Sequence, residues 1–463
     1  MFLFITIFSV ENTISNYQSK LVFLSYVFLF FILIIFLAVI VNHKLLSTKH
    51  FLILIIGTGL ILRIFWVFYS KTPPVSDFLL MYEAAKKAAM GDFSFASSGY
   101  FLRWGYQLGF TLYQALIIKI FGEHLIVLKL FNVLFSMGTA VLMYHLAKKI
   151  FNEWCGKVAV LLYTFYIPNI LYCSVLTNQH ISTFLFFLAL YILINKGLDR
   201  KYHWIIIGIL LSLGNLMRPL GSFFLLGIFV YICIFNIWPI RNKHSFEFAK
   251  KFVGILVVYL VVQKIASMGL IHAGITETPL ANNDPYWKFV VGLNYDSKGR
   301  WNLADDKYVG QFEMGQERNA AELSLIQERL SNKSKLLELF MDKFKIFWGV
   351  ADASQYWAFI DLNEPELRQL STKYERIMYI VLTLFITLIL FHIKKYNPFL
   401  SLFLILILGY ACVHLIVEIQ PRYRFDILPI FFLLGSFGVY RSKLFIQSLI
   451  KKSIFFLKKE IPK

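Results

Sequence analysis

Long runs of apolar residues dominate the sequence and limit what it can fold into. A helix that crosses a bilayer needs about 20 mostly apolar residues. Segments of this kind recur along the chain, at about 21–42, 51–70, 124–147, 157–175, 180–195, 203–217, 219–238, 252–270, 377–393, 397–416 and 425–445. One soluble core cannot bury so much apolar surface, since 58% of the 463 residues are hydrophobic and 16% are charged. The sequence therefore predicts an all-α polytopic membrane protein with about 11 transmembrane helices.

Basic residues predict how these helices are oriented. The chain has 46 Lys and Arg against 27 Asp and Glu, a formal charge of +19. Many of the basic residues fall in alternate short loops and in the tail: Lys44, Lys49, Lys148, Lys149, Lys157, Lys196, Arg200, Lys201, Arg241, Lys243, Lys250, Lys251, Lys394, Lys395 and residues 441–463. Because such loops collect on the cytoplasmic side, we expect the N-terminus outside and the C-terminus in the cytoplasm. The charge is then an orientation signal, and no nucleic-acid partner is predicted.

Two long segments are expected outside the membrane. They cover residues 71–105 and 272–376, and they divide the chain into a transmembrane region (1–271), an extracytoplasmic loop region (272–376) and C-terminal helices with a basic tail (377–463). The larger segment begins with turns and short extended pieces, and apolar spacing predicts helices over about 307–347. Residues 106–121 are apolar but interrupted, which is typical of an interfacial or partly inserted helix. We expect the chemistry on this outer side.

Asp77 is the candidate base of the first outer segment. Prolines at 73 and 74 fix a non-helical exit from the preceding span, and a helix is expected over 79–90, ended by Gly91. One interpretation makes Ser76 or Asp77 only the cap of that helix. The other makes Asp77 a general base, held where an acceptor hydroxyl meets a donor carried by a lipid. The local pattern leaves both open.

Arginines near hydrocarbon form a second group of candidates. Arg422 and Arg424 alternate with Tyr423, so an extended turn would aim both guanidinium groups the same way, as suits a phosphate. Alternatively, both reach to the interface, with Glu418 as an ion-pair partner. Arg218, between two apolar spans, either pairs with a carboxylate or faces a lipid phosphate.

Aromatic and polar side chains complete the candidate site. An aromatic cluster surrounds Arg103 at residues 100–107, and most of its rings are expected to belong to an interfacial belt. Some of these rings, and those of Trp287, Tyr295, Trp301 and Trp357, are also suited to stacking on a sugar. Possible substrate-binding residues are Tyr82, Tyr106, Gln107, Glu418 and Tyr423. The histidines show no metal-ligand spacing, so no metal ligand is predicted.

The order of these pieces resembles membrane glycosyltransferases of the GT-C superfamily. The nearest resemblance is to the bacterial family 39, which includes enzymes like protein O-mannosyltransferases and the lipid A aminoarabinose transferase. It covers residues from about 61 to 437, and the matching pieces are Ser76 to Phe78, Tyr100 to Gln107, Phe121 to Glu123, Leu130 to Asn132 and Gln420 to Pro429.

The resemblance implies an inverting transferase that uses a polyprenyl-phosphate sugar on the outer face of a bacterial plasma membrane. Asp77 matches the family's catalytic base, and Arg103 stands where a basic or aromatic residue precedes a proline that this chain lacks. Arg103, Arg218, Arg422 and Arg424 are the candidates for the donor phosphate. The family often has a Glu where this chain has residues 177–180 without an acid, which speaks against a bound metal.

The implied partners are the polyprenyl-phosphate sugar, the lipid bilayer and a cell-envelope acceptor, which is a protein, a polymer or a glycolipid. No cofactor is expected, although a divalent metal stays open. A transporter or flippase of lipid-linked sugars is the alternative from another class, but no internal repeat supports it. An enzyme with a lipid-pyrophosphate donor is a third possibility. An ATP-driven pump has no motif support, since the chain lacks the phosphate-binding loop G-x-x-x-x-G-K-[ST].

Overall fold

The protein is an all-α polytopic membrane protein. A computed structural model describes residues 1–17, 19–41, 47–198, 202–238, 243–389 and 397–459. Of these described residues 81% are helical, and no β-strand occurs within the described ranges. The predicted fold class is therefore confirmed.

In the described residues, thirteen α-helices precede the large outer segment. They are α1 (Phe2–Ile14), α2 (Lys20–Val41), α3 (Thr48–Ser70), α4 (Asp77–Ala89), α5 (Gly99–Arg103), α6 (Leu108–Phe121), α7 (Leu125–Ile150), α8 (Glu153–Phe165), α9 (Ile167–Leu171), α10 (Gln179–Lys196), α11 (His203–Met217), α12 (Gly221–Ile232) and α13 (Lys243–His272). Short 3₁₀ turns lie between several of them, and α12 continues as a π-helix over Cys233–Ile237.

Eight further α-helices follow in the described residues. They are α14 (Trp287–Gly292), α15 (Leu303–Val309), α16 (Gln316–Ser331), α17 (Lys333–Phe344), α18 (Ser354–Ala358), α19 (Pro365–Ile389), α20 (Pro398–Ile416) and α21 (Leu428–Lys459). A π-helix at Lys345–Gly349 follows α17, and a 3₁₀ helix at Pro421–Asp426 joins α20 to α21. The large outer segment is thus made of short helices and turns, as the spacing over 307–347 predicts.

Asparagines fix several helix starts. The Asn152 side chain accepts a hydrogen bond from the Cys155 N–H at the start of α8. Asn302 does the same for Asp305 at the start of α15, and Asn397 for Phe399 at α20. Each of these bonds satisfies a backbone N–H that has no partner within its helix. Local sequence therefore decides where these helices begin.

Not every apolar helix is long enough to cross a bilayer by itself. In the described residues six helices have the length and hydropathy of a membrane span, or seven if α8 and residues 167–174, which meet at 61°, form one broken span. Four apolar helices are shorter, at Phe2–Ile14, Gln179–Asn195, His203–Met217 and Gly221–Ile237. The count of about 11 crossings stays a prediction. Of the basic residues that predict orientation, Lys44, Arg200, Lys201, Arg241, Lys394, Lys395 and those after 459 lie outside the described residues.

The helices pack into a bundle, and the candidate site lies at one end of it. Several apolar helices pack on their neighbours in sequence, as α7 does on α8 and α10 on α11, while α19 packs against both α21 and α1. The predicted interfacial helix, α6, packs on α4 and α11. Three apolar clusters result: a large one inside the bundle, a second under the first outer segment, and a small one around Trp287 and Val309.

The two long outer segments meet each other. An isolated antiparallel bridge joins Trp104 to Asn282, and the Tyr106 N–H donates to the Ala281 carbonyl at 3.2 Å. Both segments therefore lie at the same end of the bundle, in agreement with the even number of crossings predicted between them.

Candidate active site

A cavity of about 700 Å³ opens where the two outer segments meet the helix ends. Eight of the ten residues singled out from the sequence line it: Asp77, Arg103, Tyr106, Gln107, Arg218, Glu418, Arg422 and Tyr423. Tyr82 and Arg424 do not. Residues more than 300 positions apart in the chain thus share one cavity.

Asp77 reaches the cavity from a strained turn. Ser76, the residue before it, is the N-cap of α4 and has φ 53°, a conformation that non-glycine residues rarely adopt. The interpretation of Asp77 as the cap is wrong, since Asp77 is the first residue of the helix and the Ser76 side chain makes no capping bond. The Asp77 side chain is exposed to the cavity, and no donor among the described residues hydrogen-bonds to it.

Lys129 secures the backbone that leads to Asp77. Its buried ammonium group donates to the Thr72 carbonyl at 2.6 Å. The Thr72 hydroxyl in turn donates to the Ala358 carbonyl at 2.9 Å. These bonds tie the exit of α3 to both α7 and the large outer segment, so the position of Asp77 depends on three parts of the chain.

Arg422 faces the same cavity without a carboxylate partner. Its Nε donates to Oε1 of Gln420 at 2.7 Å, and its guanidinium carbon lies 5.2 Å and 5.1 Å from the ring centres of Phe78 and Trp357. No carboxylate of the described residues lies within 4.0 Å of it. Its charge is therefore available to a ligand.

Arg218 is paired with a buried carboxylate. Its Nε and Nη2 lie 3.0 Å and 2.9 Å from Oδ2 of Asp426. Asp426 also accepts hydrogen bonds from Gln179 and from the Tyr410 hydroxyl, both at 3.1 Å. Of the two interpretations of Arg218, the structure shows the ion pair, which fixes the arginine in the cavity wall.

Glu418 pairs with a lysine rather than with an arginine. Its carboxylate forms an ion pair with Lys288, which belongs to α14 in the large outer segment. Gln420 donates a second hydrogen bond to it at 2.9 Å. Burial acts to raise the pKa of Glu418, but the charge of Lys288 and these hydrogen bonds outweigh it and lower the pKa. The predicted pairing of Glu418 with Arg422 or Arg424 is wrong.

Arg103 is also neutralised locally. Its Nε lies 2.5 Å from Oδ2 of the buried Asp284, and its Nη1 lies 3.2 Å from Asp306. The guanidinium group stacks near the rings of Trp104 and Trp287, at 4.8 Å and 4.4 Å. Arg103 thus anchors the first outer segment to the second at the rim of the cavity.

Arg424 points away from the cavity. The extended turn predicted around it is wrong, because residues 421–426 form a 3₁₀ helix, in which side chains two positions apart diverge by about 120°. Arg424 is 2% exposed, donates to the Trp348 carbonyl at 3.2 Å and lies 4.0 Å from Asp352. Tyr82 is also buried, under Lys86.

Aromatic rings form much of the cavity wall. They belong to Tyr100, Trp104, Tyr106, Trp287, Trp301, Trp357, Tyr410 and Tyr423. Burial, and then the negative charge of Asp77, raises the pKa of Tyr100, while the charge of Arg422 opposes this. Tyr100 therefore stays a neutral hydroxyl that lies near both charged groups, with Gln107 donating to it at 3.3 Å.

Some parts of the site carry no signal in the sequence. Lys288 is one basic residue among many in the outer segment, and its ion pair with Glu418 spans 130 positions. Asp284 and Asp306, which neutralise Arg103, are equally ordinary in sequence. In the described residues no three His, Cys, Asp or Glu side chains lie close enough together to hold a metal ion.

A comparison with protein families bears on this geometry. The family model of dolichyl-phosphate-mannose-protein mannosyltransferases matches residues 108–264. This is consistent with the GT-C resemblance and supports a glycosyltransferase of the GT-C type. A comparison with curated proteins finds no match.

The matched region covers about a third of the chain, from α6 to most of α13. It contains Asn178 and Arg218 of the cavity. Asp77 and Arg422 lie on either side of it, so the fold is what joins them to the matched part.

Proposed function

We propose that the protein is an extracytoplasmic glycosyltransferase. It moves a sugar from a polyprenyl-phosphate sugar to a hydroxyl group of a cell-envelope acceptor, with inversion at the anomeric carbon. The observation that carries the proposal is one cavity that holds both Asp77 and Arg422. Among the described residues, the Asp77 carboxylate has no hydrogen-bond donor and the Arg422 guanidinium group has no carboxylate partner.

The two groups suit the two halves of the reaction. Asp77 takes the proton of the acceptor hydroxyl as its oxygen attacks the anomeric carbon. The bond from that carbon to the phosphate oxygen breaks, and the electron pair leaves with the polyprenyl phosphate. Arg422 stabilises the negative charge that grows on this phosphate, because a donor that is already fixed in position needs little reorganisation during the step.

Charge in the cavity favours a monophosphate donor over a pyrophosphate donor. Four Lys and Arg side chains line the cavity, and Arg103, Arg218 and Lys288 each have a carboxylate within 4.0 Å among the described residues. Arg422 alone of these four is left to balance a ligand. A phosphodiester linking a sugar to a lipid carries one negative charge, which one arginine balances, whereas a pyrophosphate diester carries two.

The charged loops support the proposed sidedness. If the basic loops are cytoplasmic, the cavity lies at the outer face, the N-terminus is outside and the C-terminus is in the cytoplasm. A donor lipid in the outer leaflet then presents its phosphate at the depth of the helix ends. The aromatic wall, with Trp357 next to Arg422, offers flat faces for the sugar ring.

A transfer assay tests the proposal. Membranes containing the protein would receive a panel of labelled polyprenyl-phosphate hexoses, and label would be followed into protein, polymer and glycolipid fractions. We expect transfer by the wild type and none by Asp77→Asn, which keeps the shape of the side chain but cannot accept the proton. Glu83→Gln, at an exposed carboxylate of the same helix, is the matched control and should transfer normally.

Two results would argue against this function. Transfer by Asp77→Asn at the wild-type rate would remove Asp77 as the base. Passage of labelled lipid across a vesicle wall, without a new glycosidic bond, would instead support the alternative of a transporter.

A further inference from the structure

Gln420 links two charged groups at the edge of the cavity. Its Nε2 donates to Oε1 of Glu418 at 2.9 Å, and its Oε1 accepts from Nε of Arg422 at 2.7 Å. Glu418 is 3% exposed and is paired on its other side with Lys288. The four side chains form a continuous hydrogen-bonded chain from Lys288 in the large outer segment through Glu418 and the neutral Gln420 to Arg422.

The orientation of the Gln420 amide is dictated by its two neighbours. An ionised carboxylate only accepts hydrogen bonds, and a guanidinium group only donates them. If the amide were turned over, its oxygen would face the Glu418 carboxylate and its NH₂ group would face Arg422, so both bonds would be lost. Only a side chain with one donor and one acceptor end at this spacing satisfies both partners.

This contact decides which part of Arg422 faces a ligand. The bond to Gln420 uses Nε, while Nη1 and Nη2 have no hydrogen-bond partner among the described residues. The rings of Phe78 and Trp357 flank the guanidinium group and limit its rotation. The two terminal amino groups therefore present a planar edge with four N–H donors, which matches a phosphate.

We propose that Gln420 is a positioning residue for Arg422. It fixes the guanidinium group with its terminal edge toward the cavity, and it is held in turn by the pair of Glu418 and Lys288. This inference rests on the proposed function for its meaning in catalysis. The orientation of the Arg422 guanidinium group affects the binding of an anion as well as catalysis. The inference can therefore be tested by binding measurements, without turnover.

The decisive variant is Gln420→Glu, because it is almost isosteric and its effect depends on pH. When ionised, the introduced carboxylate repels Glu418 and neutralises Arg422. When protonated, it again has one donor and one acceptor end and restores both hydrogen bonds. We expect the activity of Gln420→Glu relative to wild type to rise about tenfold or more as the pH falls from about 6 to about 4, the range in which an ordinary Glu side chain takes up its proton. A purely structural role would give a ratio that does not change with pH.

A double-mutant cycle separates positioning from a general loss of structure. Gln420→Leu should raise the donor KM about tenfold, because of the two hydrogen bonds that it removes the one from Arg422 orients the ligand-binding group. If Gln420 acts through Arg422, then Gln420→Leu should add little to the effect of Arg422→Lys. The matched control for Gln420→Glu is Gln311→Glu, which adds the same negative charge at an exposed glutamine of the outer segment.

Binding distinguishes failure of this inference from failure of the proposed function. The dissociation constant of polyprenyl phosphate would be measured for the detergent-solubilised wild type and for Gln420→Leu. Weaker binding by the variant supports the positioning role even if no sugar transfer is found. Equal binding, or additive effects in the cycle, would overturn it even if the wild type is an active transferase.

Discussion

Arg422 and Arg424 are separated by one residue, but their guanidinium groups lie in different environments. Arg422 lines the cavity and bonds to the neutral Gln420. Arg424 is buried against Asp352 and the Trp348 carbonyl, with its guanidinium carbon 5.0 Å from the Tyr379 ring centre. Because they lie on a 3₁₀ helix, Arg422 faces the cavity, where it is accessible to a ligand, and Arg424 is buried in the fold.

Substitution of these two arginines should therefore have opposite signatures. Arg422→Gln should lower the transfer rate on the order of 10²-fold with little change in thermal stability, because it removes a charge that faces a ligand. Arg424→Gln should reduce stability by about 3–5 kcal/mol, because Asp352 is left buried without its counter-charge.

Thermal unfolding in detergent and initial transfer rates would be measured on both variants. The two changes remove the same charge two positions apart, so each serves as the control for the other. Equal losses of stability in both would contradict the assignment of separate roles.

Removing only one partner of the ion pair between Arg218 and Asp426 should cost more stability than removing both partners. Asp426→Asn leaves Arg218 in the cavity wall with no carboxylate among the described residues, at a cost of about 3–5 kcal/mol. The double variant Arg218→Met, Asp426→Leu removes both charges and should lose less stability than Asp426→Asn. Unfolding midpoints of the single and double variants would measure this. If the double variant were less stable than Asp426→Asn, this would contradict the view that the two charges stabilise the fold mainly through each other.

Glu322 gives a pH dependence to the stability of the outer segment. It is fully buried, and burial followed by contact with the Asp284 carboxylate raises its pKa from 4.5 to about 8. The folded protein then binds one more proton than the unfolded chain between these two pH values. Its contribution to stability is complete below about pH 4.5 and is lost as the pH rises through about 8.

Glu322→Gln should remove this decline, since an amide stays neutral and can donate to the Asp284 oxygen that lacks a partner. We expect the variant to be more stable than wild type at about pH 8.5 and to differ least at about pH 5. Unfolding midpoints across this range are the measurement. Glu328→Gln, at an exposed carboxylate of the same helix, should leave the wild-type pH profile unchanged.

Gly292 allows α14 to approach the end of α20. A Cβ atom at this position would collide with the backbone from Ile416 to Glu418. We expect Gly292→Ala to cost about 1–3 kcal/mol by overpacking, and to reduce transfer because Lys288 and Glu418 lie at this contact. Gly269→Ala, at a helical glycine with open space around it, should be nearly neutral in the same unfolding and transfer assays.

Several features of the fold could be predicted because they depend on local sequence. The apolar runs predict helices, Gly91 ends α4 near the expected residue, and spacing predicts helices in the outer segment. The sequence could not decide whether Asp77 is the N-cap of α4 or lies in its first turn. Either position comes shortly after the same two prolines. The π-helices and the bend between α8 and α9 depend on packing and were not predicted.

The sequence by itself determined the membrane class, the expected orientation and most of the residues that line the cavity. These follow from hydropathy, from the placement of Lys and Arg, and from polar residues at the ends of apolar segments. Only the tertiary structure decided which charges are neutralised. An ion pair such as Lys288 with Glu418, or Arg103 with Asp284, joins positions 130 and 181 residues apart, and no local pattern encodes a contact of that range. That pairing leaves Arg422 with no carboxylate partner among the described residues and makes it, with Asp77, the centre of the candidate site.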